Sequence, residues 1–127
     1  MLKKAQSSIE FVIMIGAVLF FFVFFLIVIQ SNLQDKNTEK EKVIVQNIAL
    51  SVQDEINLAK ESIDGYSREF KVDDYILGRD YLIEIIDDRI YVKTDKVALS
   101  YPVANVTGTI KKEINIIKKQ NGTIYLN

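Results

Sequence analysis

The pattern of apolar and polar positions divides the chain into stretches with different periodicities. Residues 11–29 carry no charge and are almost all apolar. A helix of roughly 20 such residues crosses a bilayer at about 1.5 Å per residue. From Val43 onward, apolar residues recur every three or four positions, which predicts an amphipathic helix. Its predicted buried stripe comprises Ile44, Ile48, Val52, Ile56, Ala59 and Ile63.

The polar residues between these two stretches predict that the helix is continuous. Residues 30–42 contain no proline or glycine, and opposite charges are interleaved there as on an exposed helical surface. Any loosening of the helix is expected around Asn37-Thr38. Gly65 supplies a helix stop directly after Asp64, because glycine readily adopts the left-handed conformation of a C-terminal cap.

Beyond Gly65 the apolar period changes to two, which predicts β-strands. Asp87-Asp88 and Asn121-Gly122 are the predicted hairpin turns, and Asn-Gly is the stronger signal. Pro102 predicts an edge strand, because proline cannot donate a hydrogen bond to the ladder. The expected fold class is therefore α+β. A long N-terminal helix, membrane-spanning in its first half and amphipathic in its second, packs on a small antiparallel β-sheet domain of four or five strands.

Composition narrows the range of functions. Sixteen basic and seventeen acidic residues give a net charge of -1, so no basic surface indicates nucleic-acid binding. Cysteine and histidine are both absent, which removes disulfides, zinc sites and the usual nucleophilic triads. Asp73-Asp74 and Asp87-Asp88 lack the ligand spacing of a calcium loop and are interpreted as turns. We expect no enzymatic activity, metal or cofactor.

Charged residues before the apolar segment carry the functional signal. Lys3 and Lys4 should stay cytoplasmic, which places the C-terminal domain outside the membrane. Glu10 lies at the rim of the apolar segment, where a carboxylate is costly to desolvate and therefore indicates a function with a specific partner. The apolar run is longer than that of a secretory signal and no Ala-x-Ala pattern follows it, so cleavage behind it is not expected.

A short motif surrounds this glutamate: Lys3-Lys4-Ala5 leads into Gln6-Ser7-Ser8-Ile9-Glu10. The motif resembles the class III signal peptide of archaeal type IV pilins, in which the mature chain starts with Gln and has Ser two and Glu four residues later. Met14 stands where that pattern usually has leucine. The resemblance implies that a prepilin peptidase cuts between Ala5 and Gln6. The motif residues are Lys3, Lys4, Gln6, Ser8, Glu10 and Met14.

Such a cut would create an ammonium group on Gln6. The Glu10 carboxylate of one subunit can pair with the Gln6 amino terminus of a neighbour, which offsets the cost of burying each charge alone. The resemblance thus implies a structural subunit that assembles with other pilin subunits into a type IV pilus-like surface filament. The expected organisation is a leader at 1–5, a long helix at 6–64 (assembly segment 9–29, polar stalk 30–42, amphipathic half 43–64) and a β-rich extracellular head at 65–127.

Three further questions stay open at the level of sequence. An uncleaved single-pass membrane protein with an extracellular partner-binding domain would explain the apolar segment, but it has no need of the whole motif. Asn105 and Asn121 each begin an Asn-x-Thr sequence, the acceptor pattern for N-glycosylation. Asn121 is the less favourable acceptor, since it falls in a predicted tight turn. Either a major or a low-copy filament subunit fits the pattern.

Overall fold

The computed structural model describes residues 2–127, which form one long helix followed by seven strands. The helix α1 spans Leu2–Glu61. The chain consists of two compact units, one up to Asn37 and one from Thr38 onward. The α+β class predicted from the sequence is confirmed. The strands are β1 (Ser67–Val72), β2 (Leu82–Ile86), β3 (Arg89–Lys93), β4 (Ala98–Pro102), β5 (Val106–Gly108), β6 (Glu113–Gln120) and β7 (Thr123–Leu126).

The first unit is the N-terminal part of α1. Its side chains from Lys3 to Asn37 are all exposed, including the phenylalanine-rich stretch at 20–25. The rings of Phe20 and Phe21 meet edge to face, with centroids 5.9 Å apart. Because none of the side chains from Lys3 to Asn37 is buried within the unit, its apolar surface is available to another environment.

In the second unit, the rest of α1 supplies one wall of the hydrophobic core. Ile48, Val52, Ile56 and Ala59 are buried as predicted, and Ile44 is half-buried. Ile63 does not belong to this stripe: it is 84% exposed, because the helix has ended before it. Val45 and Ala49 widen the buried stripe, and Glu41 extends it toward the N-terminus.

The helix ends at Glu61, three residues before the predicted end at Asp64. Side chains rather than a glycine cap satisfy its last carbonyls. Lys119 Nζ donates to the carbonyls of Lys60 (2.6 Å) and Ser62 (2.7 Å), and Ser62 Oγ donates to that of Leu58 (2.6 Å). A cation is also favourable at the negative end of the helix dipole. The positive φ of Gly65, 96°, serves the following turn, where its N–H donates to the Lys119 carbonyl.

The strands form two sheets rather than one. Four strands pair in the order β1-β6-β7-β5, and three pair in the order β2-β3-β4. All neighbours are antiparallel except β5 and β7, which are parallel. Both predicted hairpin turns are confirmed, with positive φ at Asp87, Asp88, Asn121 and Gly122. Pro102 ends β4, an edge strand as predicted.

One polar side chain, on strand β6 of the four-stranded sheet, is fully buried. Asn115 is 0% exposed. Its Oδ1 accepts from the Lys111 N–H and from Asn127 Nδ2, both at 2.8 Å, and its Nδ2 donates to the Lys111 carbonyl at 2.7 Å. A buried amide is tolerated only when its hydrogen bonds are made within the protein. Asn115 therefore fixes the loop before β6 and the residue after β7.

Candidate functional site

The predicted motif lies on the first turns of α1. All of its residues are helical and exposed, namely Lys3, Lys4, Ala5, Gln6, Ser8, Glu10 and Met14. Gln6 and Glu10 are four residues apart, so they lie on the same side of the helix about one turn from each other. The motif and the apolar segment thus form one continuous helical element.

Glu10 has no charged partner within its own chain among residues 2–127. The two salt bridges found there join Arg68 to Glu55 and Lys112 to Asp80, both in the second unit. The Glu10 side chain is exposed next to Ile9 and Phe11, which are themselves 61% and 62% exposed. A carboxylate in this position needs water or a group from another molecule once its apolar neighbours are covered.

The surface that follows Glu10 is apolar on every side of the helix. Phe20 and Phe21 are 68% and 69% exposed, and the other large side chains up to Ile29 are exposed as well. By length and composition, α1 is able to cross a membrane. The core helix of a soluble protein and a signal sequence meet the same criteria. A core helix, however, would bury these side chains, and here none of them is buried.

The two candidate glycosylation sites differ in backbone conformation. Asn105 is exposed in the loop between β4 and β5, and its Nδ2 donates to Asp88 Oδ1 at 3.0 Å. Asn121 is exposed in the β6–β7 turn with a φ of 49°. The next residue is held there, because the Gly122 N–H donates to Asp64 Oδ1 at 2.9 Å. The Asn105 sequence thus runs into the extended strand β5, whereas Asn121 is held in a turn conformation.

A cluster at the start of β2 contains the titratable groups with altered pKa values. Lys112 Nζ pairs with Asp80 Oδ1 and lies 4.7 Å above the centre of the Tyr81 ring. The hydrogen bond from Lys112 lowers the pKa of Asp80. Burial, followed by the nearby carboxylates, raises the pKa of Tyr81 to about 12. The Tyr81 hydroxyl donates to the Asp73 carbonyl, so this cluster stabilises the loop between β1 and β2.

Within the part of the chain that the structure describes, no group of three or more acidic side chains is placed to hold a metal ion. Asp87-Asp88 forms a turn, as predicted. The other acidic pair, Asp73-Asp74, lies in the loop directly after β1.

Comparison with protein-family models, curated proteins and solved structures finds no match to this chain.

Sequence reasoning missed a groove along the free edge of β2. The groove has a volume of about 410 Å³ and is lined by residues 83–86 of that strand and by Thr109 and Ile110. Alternating apolar residues reveal which face of a strand is buried, but they do not reveal which strand lies at an edge. The only available signal was that this segment, Leu-Ile-Glu-Ile-Ile, carries a single charge.

Proposed function

We propose that this protein is a pilin-like structural subunit that assembles through its N-terminal helix into a type IV pilus-like surface filament. A prepilin peptidase removes residues 1–5 by cutting between Ala5 and Gln6. The subunit is held in the membrane, with its C-terminal head outside, until it assembles with other subunits. Neither catalysis nor a cofactor has a part in this function.

The observation that carries the proposal is the position of Glu10. It stands exposed and without an intramolecular salt bridge among residues 2–127, at the start of a helical surface that is apolar on all sides. A surface of this kind is favourable in lipid, and it is equally favourable in a bundle of like helices. An isolated carboxylate is unfavourable in both environments unless a positive group meets it.

Cleavage supplies that positive group. Removal of residues 1–5 also deletes Lys3 and Lys4, which anchor the segment at the membrane surface. The new ammonium on Gln6 has no side-chain competitor nearby, because the residues between it and Glu10 are uncharged. A subunit whose Glu10 meets the amino terminus of a neighbour is fixed in register along the bundle. Contacts of this head-to-tail type repeat without closing and so produce a filament.

Replacing Glu10 by glutamine tests the proposal, because the amide keeps the shape and removes the charge. The Glu10→Gln variant should insert in the membrane as well as the unaltered protein or better, and sheared filament yield should fall at least tenfold. A matched control is Glu39→Gln, which removes another exposed carboxylate, from the stalk, and should leave the yield unchanged. Equal yields from both variants would contradict the proposal and favour the uncleaved, single-pass anchor with a partner-binding domain.

A further inference from the structure

The edge strands of the two sheets differ in their protection against pairing with another chain. Natural edge strands are protected by charge, shortness or proline. The β1 strand carries three charged residues, and β5 is only three residues long. The β4 strand ends in Pro102, whose carbonyl accepts a hydrogen bond from Gln53 Nε2 at 2.6 Å. In contrast, β2 has five residues, of which four are apolar and only Glu84 is charged.

The hairpin geometry shows which backbone groups of β2 face outward. Asp87 and Asp88 form a two-residue turn, so the pair that closes it, Ile86 with Arg89, exchanges hydrogen bonds. Hydrogen-bonded and non-hydrogen-bonded pairs alternate along an antiparallel ladder. The N–H and C=O groups of Ile83 and Ile85 therefore point away from β3. No hydrogen bond to these groups is found within residues 2–127.

These unpaired groups border the groove between β2 and residues Thr109 and Ile110. The side chain of Ile83 is only 7% exposed and that of Ile85 is half-buried, so the edge lies close to the core. Backbone polar groups in such a place are costly to leave without partners. The spacing of alternating donors and acceptors is matched by one kind of ligand, an extended peptide backbone.

Charge decides what kind of strand fits. Glu84 is exposed on the outer surface of β2, and Asp87 and Asp88 lie at the end of the strand. The nearest basic side chain on the turn, Arg89, is directed toward β4, where its Nε donates to Ser100 Oγ at 2.9 Å. The other basic residue on β3, Lys93, lies opposite Leu82 at the far end. Residues 82–88 therefore carry three carboxylates and no basic side chain.

A second copy of the chain is a poor occupant in the antiparallel register that pairs all five residues of β2. An antiparallel pair of β2 strands that joins Ile83 of one copy to Ile85 of the other places Glu84 opposite Glu84. Like charges directly opposite each other destabilise a strand pair. A segment with lysine or arginine at that position would instead form a favourable cross-strand pair.

We propose that the edge of β2 is a docking site for an extended, lysine- or arginine-bearing segment of a partner protein, which adds a strand to the three-stranded sheet. Main-chain hydrogen bonds to Ile83 and Ile85 hold the segment, and Glu84 selects its charge. This site is independent of the N-terminal helix, so its failure would leave the filament proposal untouched.

The test measures binding of a peptide to the full chain in detergent micelles. The peptide has seven residues, in which lysine alternates with valine, and both of its termini are blocked. A matched peptide carries glutamate in place of lysine, and a third is the lysine peptide with alternate backbone nitrogens methylated. The lysine peptide should slow hydrogen exchange at the amides of Ile83 and Ile85, and the methylated peptide should not. One cross-strand charge pair should make the lysine peptide bind about 1.5- to 5-fold more tightly than the glutamate peptide.

Charge reversal provides the control within the protein. Glu84→Lys, an exposed substitution that leaves the core intact, should reverse the preference so that the glutamate peptide binds more tightly. Glu69→Lys changes another exposed carboxylate, on the β1 edge, and should leave the lysine preference as it was. Equal binding of both peptides to the unaltered chain, or unchanged exchange at the two amides, would overturn the proposal. Protection of those amides in a dimer without peptide would also overturn it, since the occupant would be a second copy.

Discussion

Asn115→Ala should destabilise the head strongly although it removes only a small side chain. The amide makes three short hydrogen bonds, with the Lys111 N–H, the Lys111 carbonyl and Asn127 Nδ2. Each such bond contributes about 1 kcal/mol net, so the expected loss in the free energy of unfolding is about 3 kcal/mol. For a domain of this size, that loss corresponds to a fall in melting temperature of at least about 12 °C.

The assay is urea unfolding of the full chain in detergent, followed by near-ultraviolet circular dichroism. The chain has no tryptophan and all six tyrosines lie beyond Gly65, so the tyrosine band, read on the long-wavelength side of phenylalanine absorption, reports on the head alone. Asn57→Ala, which removes an exposed amide from α1, is the control and should change stability by less than about 0.5 kcal/mol. A loss below about 1 kcal/mol for Asn115→Ala would refute the reasoning that this network fixes the loop before β6 and the residue after β7.

Three other predictions concern the head. Gly108→Ala should cost more than about 3 kcal/mol, measured by the same unfolding assay, because φ is 117° there and an added Cβ would lie 1.9 Å from the Leu126 carbonyl oxygen. Tyr81→Phe should lower stability at pH 8, and its deficit should shrink between pH 10 and 12, since a raised pKa of about 12 means that the unaltered head loses stability as this phenol ionises. An unchanged deficit at pH 12 would contradict that pKa. In cells that glycosylate such sequences, glycopeptide mass spectrometry should find higher occupancy at Asn105 than at Asn121, and the reverse order would contradict the conformational argument.

The parts of the fold set by local pattern were predictable. Ile48, Val52 and Ile56 follow helical spacing and are buried, because a helix that packs on a sheet needs only one apolar side. The turns at Asp87-Asp88 and Asn121-Gly122 were equally predictable, since few residues tolerate the positive φ that a two-residue hairpin requires.

Features that depend on distant residues were not predictable in this way. The helix ends before Ile63, and Lys119, more than fifty residues later, stabilises that end by donating to the carbonyls of Lys60 and Ser62. The parallel pairing of β5 with β7 likewise follows from chain connections that alternation does not encode. For the candidate site, the sequence predicted the motif around Glu10 and its place beside an apolar helix, whereas the exposed edge at Ile83 and Ile85 required the sheet order.

Cleavage between Ala5 and Gln6 is the step on which the proposed assembly depends, because only a new amino terminus can pair with Glu10 in the manner described. The most direct measurement is the intact mass of the protein purified from cells that contain the prepilin peptidase. We expect a chain that begins at Gln6, lighter by residues 1–5 and found both in the membrane and in filaments. A chain that still carries Lys3 and Lys4 under those conditions would contradict it.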